Sequence, residues 1–308
     1  MQIMSISVES RFRGCLAGLA AGDAVGTTLE FRRKGSFEPI TDMVGGGPFS
    51  LDAGQWTDDT SMALCLADSL IACETFNAKD QMDRYVRWAS EGYLSSNGRC
   101  FDIGNTVSSA LRHYMDLGNP NAGDDHQFSA GNGSIMRLAP IPMFYCYLDA
   151  ELSEAAVASS ITTHAAVECI DACVLLSHMI VRALRGESRE AVFAPVEAVS
   201  PYSPKIELVN AGAYKNKAET EIKGSGYVVE SLEAALWSVW TTTSYRDAVL
   251  AAANLGDDAD TTAAIAGQLA GALYGYDAIP EQWRYKLAMG ELIIGLADQL
   301  FKLAQRPS

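Results

Sequence analysis

Residues 256–275 read GDDADTTAAIAGQLAGALYG. The stretch opens on a knot of acids and threonines and continues as an apolar run in which Gly267, Gly271 and Gly275 recur every four residues. That spacing is helical. Near the other end of the chain Gly14, Gly18, Gly22 and Gly26 repeat it. Glycine at every fourth position strips one helical face of side chains, so two helix backbones can approach closely. Plain helix packing accounts for both stripes, and helices packed so tightly hold whatever lies at their ends in fixed register.

Outward from these two segments the apolar positions recur at three and four far more often than at two. Helices are predicted over 9–26, 58–75, 79–94, 103–117, 151–160, 164–186, 229–241, 244–254, 261–274 and 281–304, bounded by Gly, Pro, Asn or Asp. The expected fold is all-α. No Pro-, Gly- or Ser-rich linker divides the chain, so one domain over 1–308 joining both ends is preferred over two. Three stretches resist a helical reading: 31–57, with a Gly45-Gly46-Gly47-Pro48 breaker, 118–134, and 199–226. The first two are long loops of the kind that hold ligands.

The 308 residues are 48% apolar and 20% charged, enough to bury a full core. A net charge of −15 repels phosphate backbones and anionic lipids, which argues against a basic nucleic-acid grip or a membrane-surface partner. No run of about 18 apolar residues suggests a membrane span. The N-terminus MQIMSISVES lacks the basic and apolar segments of an export signal. Seven cysteines without a CxxC pair read as reduced core thiols, so a cytoplasmic setting is expected.

Two acidic motifs stand at predicted helix starts. Residues 56–61 read WTDDTS and 256–262 read GDDADTT. Capping alone explains a Thr or Asp at such a place. Capping needs one oxygen, however, and Asp58, Asp59, Asp257, Asp258 and Asp260 supply five carboxylates. If the two starts meet in space, a dication is the cheapest way to neutralise them. With Thr hydroxyls and no His or Cys nearby the donor set is all oxygen, which suits Mg²⁺ or Mn²⁺ rather than Zn²⁺, and two ions are plausible.

Six segments in order resemble the ADP-ribosylglycohydrolase family: RFRGCLAGLAAGDAVGTTLEF, WTDDTSM, FDIGNT, GNGSIMRLAPI, THAAVECIDA and GDDADTTAAIAGQLAGALYG, together spanning roughly residues 11 to 276. The resemblance implies an all-α fold with a two-metal cleft and hydrolysis of the glycosidic bond between ADP-ribose and a protein side chain. The implied metal ligands are Thr57, Asp58, Asp59, Asp258, Asp260 and Thr261. Where the family usually has a second Gly this chain carries Asp257, expected to face solvent. The implied catalytic groups are Glu30 and Asp59; without the resemblance Glu30 is a solvated residue at a helix end. Asp102 and Gly104 of FDIG imply acceptor contact, although Asp102 could equally be an N-cap. A carboxylate there suits a guanidinium, which favours an arginine acceptor over serine. Gly131, Asn132, Gly133 and Ser134 form either a simple turn or a backbone cradle for phosphate. His164, at the start of a predicted helix, is structural or contacts the nucleotide, and Arg137 is a phosphate contact or a buried ion-pair partner.

The partner implied is an ADP-ribosylated protein. Two other classes compete: a scaffold that binds and neutralises an ADP-ribosyltransferase, and a two-metal phosphohydrolase, which the lack of His in both acidic motifs disfavours.

Overall fold

The computed structural model describes residues 6–197 and 202–306. Fourteen α-helices and five short 3-10 turns account for its regular structure, and among the described residues there is no strand beyond isolated bridges. The all-α, single-domain expectation holds; residues 1–5, 198–201 and 307–308 of the expected 1–308 span lie outside the described residues. The helices are α1 (Val8–Gly26), α2 (Asp58–Cys73), α3 (Ala78–Glu91), α4 (Asn105–Leu117), α5 (Pro140–Phe144), α6 (Asp149–Ile161) and α7 (Val167–Leu184). They continue as α8 (Arg189–Val192), α9 (Pro204–Asn210), α10 (Val228–Thr241), α11 (Tyr245–Ala253), α12 (Ala259–Tyr274), α13 (Glu281–Lys286) and α14 (Gly290–Ala304).

The molecule is organised around α1 and α12, its most extensively packed helix pair. The glycines explain how close they run. A Cβ on Gly271 would sit 1.9 Å from the carbonyl oxygen of Gly14, and one on Gly267 would sit 2.2 Å from that of Gly18. Further along, Gly22 meets the carbonyl of Ala263 and Gly26 that of Ala259. The pairing 14 with 271 and 26 with 259 is antiparallel. It therefore brings the end of α1 against the start of α12, where the second acidic motif lies. Both helices are buried along nearly their whole length, with α11, α10, α7 and α14 packed around them. Gly275 ends the stripe: at φ +79° it terminates α12, and its backbone still lies against Gly14, where a Cβ would come 2.8 Å from the Gly275 carbonyl carbon.

Several boundaries differ from the expectation. The predicted helix 281–304 is two helices, broken at Leu287–Met289 where the Ala288 amide turns to donate to Gly54 in the 31–57 loop. The predicted helix 164–186 begins at Val167, so His164 lies in the turn before it. The 199–226 stretch, described from residue 202, holds α9 and two 3-10 turns. Among the described residues no helix is long and apolar enough to cross a membrane. All seven cysteines are free, five of them buried.

Candidate active site

The 31–57 loop delivers the first acidic motif to the core. Trp56 is buried, its indole N–H donating to the Ala288 carbonyl at 3.1 Å, while its own carbonyl accepts from Ser96. Helix α2 then starts at Asp58. Its N-terminus is not capped by Thr57, whose side chain makes no capping bond. The cap comes from α1: Asp23, fully buried, accepts from the Thr57 amide at 2.9 Å and the Thr60 amide at 3.1 Å. Its carboxylate also takes the hydroxyls of Thr57 at 2.9 Å and Thr60 at 2.6 Å.

The second motif is built the same way. Asp258 occupies the N-cap position of α12 without a side-chain cap bond, and Glu30 supplies the bond instead. Glu30 Oε2 accepts from the Ala259 amide at 2.8 Å and the Asp260 amide at 3.4 Å. Asp258 is held from outside, its amide donating to the Gly224 carbonyl and its Oδ2 accepting from Asn132 at 3.0 Å. Acids from the α1 end thus cap both helices, and of the motif carboxylates Asp260 alone takes a first-turn amide, its Oδ1 accepting from Thr261 at 2.7 Å. Capping therefore does not account for the other acids of the two motifs.

The two helix starts meet. Carboxylate oxygens of Asp23, Asp59 and Asp260 all lie within 4.8 Å of one another, as do those of Glu30, Asp258 and Asp260, so Asp260 is common to both groups. Hydroxyls bridge the motifs: Thr261 Oγ1 donates to Asp59 Oδ2 at 3.4 Å, and Thr57 Oγ1 lies 3.3 Å from Asp260 Oδ2. Asp58 lines the cavity above but stands outside both groups.

Burial, and then mutual repulsion, raises the proton affinity of this cluster. Asp58, Asp59 and Asp260 are pushed well above the usual carboxylate range, burial acting first and the charges of Asp59, Asp23 and Glu30 respectively second. Burial also lifts Glu30 to about 8, Asp102 to about 7 and Asp23 to about 6. Asp59 Oδ1 is buried with no hydrogen-bond partner, a costly state for an anion. A divalent cation satisfies that oxygen and relieves the repulsion together, and an all-oxygen donor set suits a hard ion. The residues present fit a metal.

Above the acids lies a cavity of about 500 Å³ lined by Glu30, Asp58, Asp102, Asp258, Asp260 and Thr261 on one side and by Gly104, Gly131, Asn132, Gly133 and His164 on the other. Asp102 is not a helix cap, because α4 starts at Asn105 with Gly104 in the cap position. Its backbone is left-handed, φ +57°, and its carboxyl lies close enough to Asp260 to share a hydrogen bond. Gly131 and Gly133 face the imidazole of His164: a Cβ on Gly133 would come 2.7 Å from the ring. Ser134 is turned away into the core beside Cys173.

His164 is 2% exposed, and burial, aided by Arg137, depresses its pKa to about 3, so the ring is neutral. Its Nδ1 pairs with Thr163 Oγ1 at 2.9 Å. Arg137, fully buried, donates to that same hydroxyl at 2.8 Å and to the Gly133 carbonyl at 2.9 Å, and its guanidinium lies over the Tyr85 ring. Thr163 Oγ1 stands between the Arg137 guanidinium and the imidazole Nδ1. Arg137 thus ties the 131–134 turn to His164, and it pairs with no carboxylate among the described residues.

Asp23 was absent from the sequence-derived set. One signal marks it: between residues 14 and 26 it is the lone charge in a run of Gly, Ala, Leu, Cys and Val. Asp257 faces solvent as expected, and at φ +57° it occupies a backbone conformation that glycine adopts at no cost.

The fold and site define an all-α protein whose two helix starts, far apart in sequence, close on one carboxylate cluster suited to divalent cations. The chain belongs to the ADP-ribosylglycohydrolase family, whose model matches residues 4–308. It is 48% identical to the ADP-ribosylarginine hydrolase Tri1 of Serratia proteamaculans over 95% of this chain and 79% of that protein. It is 33% identical to the ADP-ribosyl-(dinitrogen reductase) glycohydrolase of Rhodospirillum rubrum over 92% of each. A solved structure described as an ADP-ribosylglycohydrolase-related protein complex superposes with a TM-score of 0.86 at 39% identity, covering 97% of this chain and 99% of that one.

Proposed function

We propose that the protein is a metal-dependent hydrolase of ADP-ribosylated proteins that cleaves the N-glycosidic bond to arginine and releases ADP-ribose. The observation that carries this reading is the closure of Asp59, Asp260, Asp258 and Glu30 into one cluster beneath a cavity that also presents Asp102. Two relatives at 48% and 49% identity, from Serratia proteamaculans and Pseudomonas putida, are named ADP-ribosylarginine hydrolase, which supports arginine as the acceptor. Free cysteines support a reducing, cytoplasmic setting.

Two Mg²⁺ or Mn²⁺ ions would be held by Asp23, Asp59 and Asp260 on one side and Glu30, Asp258 and Asp260 on the other, with the Thr57 and Thr261 hydroxyls beside them. Such ions supply charge neutralisation and orientation of the ribose hydroxyls. The chain's own residues do the rest. Glu30 or Asp59 takes the proton of the water that attacks the anomeric carbon, and the C–N bond to the guanidine breaks as the C–O bond forms. Glu30, lining the cavity with Oε2 anchored by two amides, gives the departing nitrogen a proton: the one it took from the water or, where Asp59 is the base, the one that burial keeps on Glu30 itself. Asp102 pairs with the guanidinium and positions it. Gly131, Gly133 and the His164 ring, which line the cavity together, would take the nucleotide part.

Incubation with arginine-linked and serine-linked ADP-ribosylated proteins in Mg²⁺ or Mn²⁺, scoring the released product, tests this. ADP-ribose from the arginine-linked substrate, lost on chelation and in Asp260→Ala, is expected. Release of AMP or phosphate instead would show a phosphohydrolase.

A further inference from the structure

The cavity has an aromatic rim that the free protein does not need. Phe31 follows Glu30 directly, lines the cavity and is 68% exposed. Its ring meets Phe49 edge-on at 6.2 Å between centroids, and Phe49 in turn lies 5.4 Å from Phe101, the neighbour of Asp102. Of these rings Phe31 lines the acidic cavity, whose lining carboxylates include Glu30 and Asp102, while Phe49 and Phe101 back it from an adjoining hollow that also holds Arg99.

Phe31 is also a poor residue for its backbone. It sits at φ +60°, a left-handed conformation that a bulky side chain disfavours and that Gly or Asn adopts more readily. The fold enforces it: the Phe31 amide donates to the Asp257 carbonyl at 2.8 Å, and the Asp257 amide donates to the Arg32 carbonyl at 2.7 Å. This reciprocal pair locks the end of α1 to the second acidic motif and so aims Glu30 at the cluster. That locking needs only backbone, so nothing in it requires an aromatic ring. An exposed ring on a strained backbone beside an active site has its use in the bound state.

Resting on the activity proposed above, we infer that Phe31, with Phe49 and Phe101 behind it, is a specificity-determining surface that receives the guanidinium arm of the ADP-ribosylated arginine. A guanidinium is planar and weakly hydrated, stacks on aromatic faces and pairs in a fork with a carboxylate. The cavity offers both, the Phe31 ring and the Asp102 carboxylate, and its ionisable lining is acidic apart from the neutral His164. A serine acceptor carries no cation and no flat group for the rings to hold.

The test is Phe31→Asn, which suits the left-handed backbone and removes the ring. Expected are an unchanged or raised melting temperature, unchanged affinity for free ADP-ribose, which lacks the acceptor, and a loss of about tenfold in kcat/KM on ADP-ribosylarginine, mostly in KM. The same loss should appear with the free ADP-ribosylated amino acid as with a modified protein. Undiminished kcat/KM overturns the inference, as does a loss confined to the protein substrate, which would show that the ring meets the rest of the partner. A fall in melting temperature together with weaker ADP-ribose binding would make Phe31 structural. Wild-type protein inactive on arginine-linked substrate would overturn the proposed function itself, whereas an active wild type with an unaffected variant overturns only the rim.

Discussion

The floor of the cavity and its rim are built on opposite terms. The floor is two helices in backbone contact, Gly14 to Gly271 and Gly18 to Gly267, with buried acids capping the neighbouring helices. The rim is loop held in left-handed backbone, Phe31 and Asp102 both at positive φ. The floor spends stability on like charges held together; the rim spends it on conformation. Both patterns mark a site shaped for a bound state rather than for the free chain.

The floor breaks most severely if its glycines are filled. Gly271→Val places a side chain where the Gly14 carbonyl oxygen already sits, so the helices must part, at a cost on the order of 3 kcal/mol. Chemical denaturation should show this as a large drop in midpoint, and cation binding should weaken with it because α1 and α12 set the register of the acids.

A second way to sharpen the comparison is pH. Carboxyls whose folded pKa is raised, Glu30 to about 8, Asp102 to about 7 and Asp23 to about 6, bind more protons in the folded than in the unfolded state. Their contribution to the stability of metal-stripped protein should therefore be fully present below the ordinary carboxylate range and be lost as pH rises from about 4 towards about 8. Added Mg²⁺ or Mn²⁺ should flatten that fall. Melting curves across pH, with and without the cation, read it directly, and a slope unaffected by cation would contradict the account.

A smaller effect is expected at the wall that joins floor to rim. Thr163→Val removes the hydroxyl between Arg137 and His164 at nearly constant volume, freeing the imidazole Nδ1. KM should rise by about tenfold at most, with kcat largely kept, at a stability cost of about 1 kcal/mol. Thr163→Ser should restore KM.

How much of this was legible in the sequence follows the same division. The glycine stripes and the two Asp–Thr motifs were readable because helical period and donor chemistry are local. That they meet was only a condition in the reading of charge, and the shared ligand set came from the family resemblance. Asp23 was missed because a carboxylate inside a helix shows its partners only when α2 is packed against it. The split of 281–304 was hidden because Gly54, distant in sequence, takes the Ala288 amide. The left-handed turns at Phe31 and Asp102 left no mark at all: neither residue type announces positive φ as glycine does.

The central claim is that acids about 200 residues apart hold the same ions. Mn²⁺ binding followed by titration calorimetry on wild type, Asp59→Ala and Asp260→Ala tests it most directly. Either substitution alone should weaken binding at the shared site sharply, and the double variant should be scarcely worse than Asp260→Ala. Independent, additive losses, or full binding in either single variant, would contradict it.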